Sequence, residues 1–252
     1  MNRRVKQLTY GGFYLFLFLL LFSFLYFTFF KPGPSCSDGI QNQAEEGIDC
    51  GGPCSKVCFP ENFSDLEVTQ TKIFKIGLNQ ISLFAEVKNS NTSLAVDSFD
   101  YVFNLYDDND NLIQAFSGNS FVYSADTSYV LIPGLNVTSS LAKRGELIVK
   151  SPDWVKKDTL IKPKLKINDV STFIDDGRIK ISGAITNEDV MKFSKVKIIG
   201  IILGRFNKPI GASLTELNNL ESNQTLHFEI IHPYLPDVNF SVTKVVAFPD
   251  QN

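Results

Sequence analysis

Residues 81–89 read ISLFAEVKN and residues 179–187 read IKISGAITN, and these two stretches decide how the rest of the chain is read. Each opens on an aliphatic residue (Ile81, Ile179), places another six positions on (Val87, Ile185) and closes on an asparagine (Asn89, Asn187). Further along, Val102 to Ala115 (VFNLYDDNDNLIQA) lies over Ile198 to Ala212 (IIGIILGRFNKPIGA), with Leu105 facing Ile201 or Ile202 and Ile113 facing Ile210. The offset is about 97 residues in both places, roughly the length of one small β-sandwich. From Leu66 onward the apolar residues alternate with period two in short runs broken by Gly, Asn, Asp and Pro, the pattern of half-buried antiparallel strands.

Each copy is expected to run as strand, turn, strand, hairpin and closing strands. In the first, Leu66 to Ile76 and Ile81 to Lys88 lead to Phe99 to Tyr106, a turn at Asp107 to Asn111, and Leu112 to Phe116. Phe121 to Tyr123, Tyr129 to Ile132 and Glu146 to Lys150 complete it. In the second, Leu165 to Ile174 and Arg178 to Thr186 meet at Asp175, Asp176 and Gly177, where Gly supplies positive φ. Val196 to Leu203, Ile210 to Ala212, Leu226 to Ile231 and Val242 to Phe248 follow. The Pro-bounded, lysine-rich segment SPDWVKKDTLIKP, residues 151–163, reads as a linker between sandwiches at 63–150 and 164–252. Trp154, the only tryptophan, is expected to wedge between them. The fold class that follows is all-β: two tandem immunoglobulin-like sandwiches behind an apolar helix and a small cysteine-rich segment.

That helix is the first thirty residues. From Gln7 to Phe30 there is no charge, and eight of the 22 Phe lie between Phe13 and Phe30. At about 1.5 Å per residue the run crosses about 30 Å of hydrocarbon. Arg3, Arg4 and Lys6 precede it and only Lys31 follows closely, so the positive-inside bias places residues 1–9 in the cytoplasm, 10–30 in the bilayer and the rest outside. A cleaved signal peptide would have a shorter apolar run and a small-x-small site, whereas KPGPS follows here. Beyond residue 30 there are 21 basic and 27 acidic residues, a net −6, which argues against docking on nucleic acid or anionic lipid.

Residues 31–62 hold all four cysteines, Cys36, Cys50, Cys54 and Cys58. So few aliphatic residues surround them that covalent closure must replace a core, and an exported segment implies two disulfides in one of three pairings. Asp38, Asn42, Glu45, Glu46 and Asp49 are oxygen donors of the kind calcium uses, but their order departs from the EF-hand loop, and a solvated acidic loop is the preferred reading. DGIQNQAEEGIDCGGPC resembles the DGIxNxxExGIDCGGxC cysteine motif of exported, largely uncharacterised bacterial proteins, which implies surface exposure without an activity. FNLYDDNDNLI resembles the FxLYD domain, a small immunoglobulin-like sandwich of exported microbial proteins, through Phe103, Leu105, Tyr106 and Asp107. In the second copy Ile199, Ile201, Ile202 and Leu203 occupy those places.

Candidate chemistry is sparse. Asp107, Asn109 and Asn111 begin a D-x-N-x-N calcium pattern, yet Leu112 replaces its turn glycine and Gly118 its final glutamate, so a hairpin turn is expected. His227 and Glu229 share a strand face and His232 points elsewhere. No GxSxG, HExxH or phosphate-binding glycine loop is present. Asn62, Asn91, Asn136, Asn223 and Asn239 head N-x-S/T sequons and are expected to be ordinary surface polar residues. No catalytic residue and no cofactor is assigned. The sequence points to an envelope binding or adhesion protein held in the bilayer by residues 10–30, with an unidentified protein or envelope partner. The alternative is a bitopic accessory subunit whose helix packs against partner helices, separable by swapping that helix for poly-leucine.

Overall fold

The computed structural model describes residues 3–27, 35–56, 58–60, 63–241 and 243–250, and its internal contacts divide the chain into two units, Met1–Pro60 and Glu61–Asn252. Residues 28–30 at the end of the expected membrane span, and the sequon residue Asn62, lie outside the described residues.

In the first unit, α1 (Arg3–Leu25) is a single helix, and Lys6–Leu25 is long and apolar enough to cross a membrane, with none of it buried against protein. The cysteine segment that follows is built from turns. Its disulfides are Cys36–Cys54 and Cys50–Cys58, an interleaved pairing in which each bridge crosses the other along the chain. Gly52 shows why the DCGG run needs its glycines: φ is +56°, and a Cβ there would stand 2.2 Å from the Ala44 carbonyl oxygen.

The second unit is all β. Its strands are β1 (Glu67–Gly77), β2 (Gln80–Lys88), β3 (Leu94–Tyr106), β4 (Leu112–Val122), β5 (Thr127–Leu135), β6 (Arg144–Lys156), β7 (Leu165–Asp175), β8 (Arg178–Asn187), β9 (Phe193–Leu203), β10 (Pro209–Leu220), β11 (Thr225–Pro233) and β12 (Thr243–Pro249). They form four three-stranded antiparallel sheets ordered β1-β2-β5, β4-β3-β6, β11-β8-β7 and β10-β9-β12. Replacing each of β1 to β6 by the strand six places later turns the first two orders into the last two. The repeat is therefore real at the level of topology.

A buried amide repeats with it. Asn89, fully buried at the end of β2, donates through Nδ2 to the carbonyls of Leu94 (2.8 Å) and Tyr123 (3.1 Å), while its Oδ1 accepts the Asn91 N–H (3.0 Å). Asn187, equally buried at the end of β8, donates to Met191 (2.7 Å), Leu220 (3.4 Å) and Glu221 (3.1 Å) and accepts the Asp189 N–H (3.0 Å). Each side chain satisfies backbone groups that a turn between two sheets would otherwise leave unpaired. The shared terminal asparagine of the two quoted stretches is thus a clamp.

Several expected boundaries shift. Leu112 to Phe116 and Phe121 to Tyr123 merge into β4, which runs through Gly118 because the Tyr101 hydroxyl fills the space a Cβ would take, at 2.3 Å. The linker expected at 151–163 is strand up to Lys156. β6 continues through Ser151 (φ +47°) by a bulge against β3, where Asp100 pairs with Lys150 and Ser98 with Asp153, and Pro152 sits in that bulge where no ladder bond is required. Trp154 accordingly does not wedge between sandwiches: it lies in the first core beside Val96, 9% exposed, with Phe63 edge-on at 5.5 Å.

The alignment of FNLYDDNDNLI with the second copy also slips by one residue. The β3–β4 bulge between Leu105 and Tyr106 matches the β9–β10 bulge between Ile202 and Leu203, so Phe103, Leu105, Tyr106 and Asp107 correspond to Gly200, Ile202, Leu203 and Gly204. A one-residue slip exchanges the two faces of a strand. In the register of the ladders Phe103 and Leu105 are fully buried, Tyr106 lies under the Arg144 guanidinium at 4.0 Å, and Asp107 closes the turn.

Core residues separate into three layers. One core lies between β1-β2-β5 and β4-β3-β6, the second between β10-β9-β12 and β11-β8-β7. The third lies between the two sandwiches, where Phe74 and Phe84 of β1 and β2 meet Ile199, Ile201, Leu203 and Ala212 of β9 and β10. The unit is a stack of four sheets, with β2 and β9 buried on both faces.

Candidate functional site

The carboxylates of Asp38, Glu45 and Asp49 in the cysteine segment are engaged as loop braces, whereas the Asn42 Oδ1 is buried without a hydrogen-bond partner among the described residues. Asp49 accepts the Gly39 N–H through both oxygens (3.1 and 2.9 Å), and Asp38 accepts Ser35 N (3.1 Å), Ile40 N (2.9 Å) and the Asn42 amide (2.9 Å). That amide is the chief reason the Asp38 carboxyl lies below the usual carboxylate range. Glu45, buried, accepts Asn42 N (3.2 Å) and Asp49 N (3.3 Å), and its other oxygen rests 3.1 Å from Cys54 Sγ. Cys36, Glu45 and Cys54 converge closely enough to suggest a metal cluster, but both sulfurs belong to one disulfide and offer no thiolate.

The turn Asp107 to Asn111 is an Asx turn: Asp107 Oδ1 accepts Asn109 N and Asn111 N, each at 2.8 Å, and Oδ2 accepts the Asn111 amide at 3.1 Å. His227 and Glu229 lie exposed on the outer face of β11, whereas His232 is turned inward and 1% exposed. Its Nδ1 lies 2.6 Å from the Pro233 carbonyl oxygen, and burial pushes its basicity below the ordinary histidine value. The three do not form one cluster. Among the sequons, Asn91 is buried and its amide exchanges hydrogen bonds with both backbone groups of Ser64 (2.8 and 2.7 Å), so it is no free surface acceptor.

The most elaborated recess runs along the seam of the two sandwiches. A chain of ring contacts marks it: Phe74 to Phe84 (5.7 Å), Phe84 to Tyr129 (6.1 Å), Tyr129 to Phe248 (6.1 Å), Phe248 to Phe121 (6.4 Å) and Phe121 to Tyr123 (5.3 Å). At its end opens a cleft of about 410 Å³, within the range of about 300–1,000 Å³ usual for ligand sites. Tyr123, Asp126 and Tyr129 come from the first sandwich, Lys162 from the connection, and Lys244 and Phe248 from the second. Lys162 pairs with Asp126 at 2.9 Å. The Lys244 ammonium bonds the Tyr129 hydroxyl and lies 4.7 Å from its ring centre. Burial, and then the Asp126 charge, hold the Tyr123 phenol firmly protonated. A second recess of about 200 Å³ adjoins it, bounded by Phe121, Tyr129, Lys197, Phe248 and Asp250.

Phenols, ammonium groups and one carboxylate on an apolar floor can recognise a ligand by stacking, charge and hydrogen bonding. The described lining of the cleft includes neither histidine nor thiol. Sequence reading missed this site because its parts are remote along the chain, Tyr129 and Lys244 being 115 residues apart. A signal did exist in LFA (83–85) and IIGIIL (198–203): both are apolar at successive positions, which a strand buried on one face does not need.

No family model matches the chain, and no curated protein matches it. Among solved structures it is similar to a red sea bream transglutaminase, with a TM-score of 0.24 and 11% identity, over 73% of this chain and 31% of that one. The chain thus spans about a third of the length of that structure, and a likeness at this score carries no argument about fold or activity.

Proposed function

We propose that this protein is a non-catalytic binding protein of the cell envelope, anchored by α1 with its N-terminus in the cytoplasm and presenting the paired sandwiches outside. The seam cleft carries the reading: aromatic and ammonium groups converge there on an apolar floor, the make-up of a recognition surface. Two further observations support it. The exposed apolar helix has length for a bilayer, and two disulfides in the next segment belong to an oxidising compartment. The six-stranded order also supports the immunoglobulin-like and FxLYD likeness of each sandwich.

Cysteine scanning tests the topology. No free cysteine exists among the described residues, so an added one at Asn2 or at the exposed turn residue Asp108 supplies a distinct thiol. In intact cells a membrane-impermeant maleimide labels Asp108→Cys and spares Asn2→Cys. The reverse pattern refutes the orientation, and labelling of neither before lysis places the sandwiches inside the cell.

A further inference from the structure

We infer that the seam cleft binds an extended, acidic peptide segment by adding it as a strand to the free edge of β12. This deepens the binding reading above and rests on it. β12 is the outer strand of its sheet, and among the described residues its ladder partner is β9 alone. Five of its residues in succession, Lys244, Val245, Val246, Ala247 and Phe248, line the cleft. Side chains alternate along a strand, so a wall made by side chains would show every second residue. β5 does this with Thr127 and Tyr129, and β7 with Leu165 and Ile167. Consecutive residues line a cleft together where a backbone edge faces it, so beside the Lys244 and Phe248 side chains the wall contributed by β12 includes its row of N–H and C=O groups. Such a row pairs with a chain in the extended conformation.

The open length is set at both ends. At Thr243 the edge is closed by β7, through the Thr172–Thr243 hydroxyl contact at 2.7 Å, and Pro249 offers no donor at the other. Between them lie five residues, about 17 Å of strand at about 3.3 Å per residue. The charge of the ligand follows from the two cations. Lys162 is matched by Asp126, whereas Lys244 rests on the Tyr129 ring with no carboxylate within 4 Å among the described residues. A carboxylate opposite Lys244 supplies the missing charge and makes the favourable cross-strand pair.

The test is a selection of random dodecapeptides on phage against the full chain in lipid nanodiscs, with binders mapped by amide hydrogen exchange. Enriched peptides are expected to be acidic and free of central proline, and to protect residues 243–249. Lys244→Glu weakens them about tenfold. Neighbouring N–H groups of an edge strand point alternately inward and outward, so one of Val245→Pro and Val246→Pro removes only an outward donor. The variant that keeps the melting temperature should abolish binding. Peptides that protect other segments, or lack acidic bias, or survive Lys244→Glu unchanged, overturn the assignment to β12 while leaving a binding protein. Failure to enrich any peptide overturns the assignment and the binding reading, and makes Lys244 a guard against edge pairing.

Discussion

Phe84 tests whether the two sandwiches are one cooperative body. Its ring is fully buried, outside the first core, between Phe74 at 5.7 Å and Tyr129 at 6.1 Å and against the layer that holds Ile201. Phe84→Ala should cost about 3–5 kcal/mol, combining lost transfer energy with an unfilled cavity, of which the two ring pairs account for about 0.5–1.5 kcal/mol each. Ile201→Ala, from the opposite wall, should cost about 2–5 kcal/mol. The informative quantity is their coupling. Residues sharing one packed layer give interaction energies of about 0.5–3 kcal/mol, whereas independent sites add to within about 0.5 kcal/mol. The assay is urea unfolding of the full chain in mild detergent, followed by fluorescence of Trp154, which lies in the first core. Ile201 belongs to the second sandwich, so a shift of the Trp154 transition by Ile201→Ala already requires the two to unfold together. Additive costs, or a Trp154 transition blind to Ile201→Ala, would refute the shared layer. Ser182→Ala, at the place equivalent to Phe84, is the control and should cost under about 1 kcal/mol.

Three other outcomes follow from the same structure. Asn89→Ala and Asn187→Ala should each cost about 3–5 kcal/mol in urea unfolding, since each deletion leaves two or more buried backbone groups unpaired at about 1–3 kcal/mol apiece; a loss below 1 kcal/mol would show that water replaces the clamp. Reduction with dithiothreitol should remove about 3 kcal/mol from the segment closed by the Cys36–Cys54 bridge, seen as new proteolysis within residues 36–58, with the melting of residues 61–252 unchanged because no cysteine lies there. His232 binds its proton less readily folded than unfolded, so its contribution is complete above about pH 6.5 and is lost as pH falls from there towards the folded pKa. The urea midpoint should therefore drop between pH 7.5 and pH 5.5, with a limiting slope of about 1.4 kcal/mol per pH unit, and His232→Leu should abolish that drop.

Where one face of a strand decides its role, the sequence was legible. Ile81, Leu83, Ala85 and Val87 alternate into the first core as Ile179, Ile181, Gly183 and Ile185 alternate into the second, and the asparagines closing both stretches made the repeat visible. Legibility failed where two faces are buried. Phe84 breaks the polar side of ISLFAEVKN, and Ile199, Ile201 and Leu203 fill the second face of β9. Read as half-buried strands, these residues have no place to go, so the seam and its cleft stayed hidden. The linker failed for a local reason: Pro152 looks like a breaker, yet at a bulge its missing N–H costs the ladder nothing.

The seam also shows how composition decides which faces of the two copies meet. The face that copy 1 offers is its β1-β2-β5 sheet, and the face that copy 2 offers is β10-β9-β12, the counterpart of β4-β3-β6. Different surfaces meet, so the contact is head-to-tail, a geometry that can in principle continue indefinitely. What distinguishes the two outer faces from the seam is composition at equivalent positions. Matching the ladders places Ser182, His227 and Glu229 of copy 2 where copy 1 has Phe84, Tyr129 and Leu131. It likewise places Asn104, Ser117 and Lys150 of copy 1 where copy 2 has Ile201, Leu214 and Phe248. Both free faces have thus exchanged apolar seam residues for hydroxyl, amide and charged groups. On the copy 2 face these satisfy one another, as in the Ser171–Ser182 hydroxyl contact at 2.8 Å and the Lys180 pairs with Asp175 (2.7 Å) and Glu229 (3.7 Å). A surface docked on that face would have to strip water from those groups, at about 1–3 kcal/mol for each one left unpaired. One topology used twice therefore has a dry seam between these two copies and outer faces that carry groups suited to water.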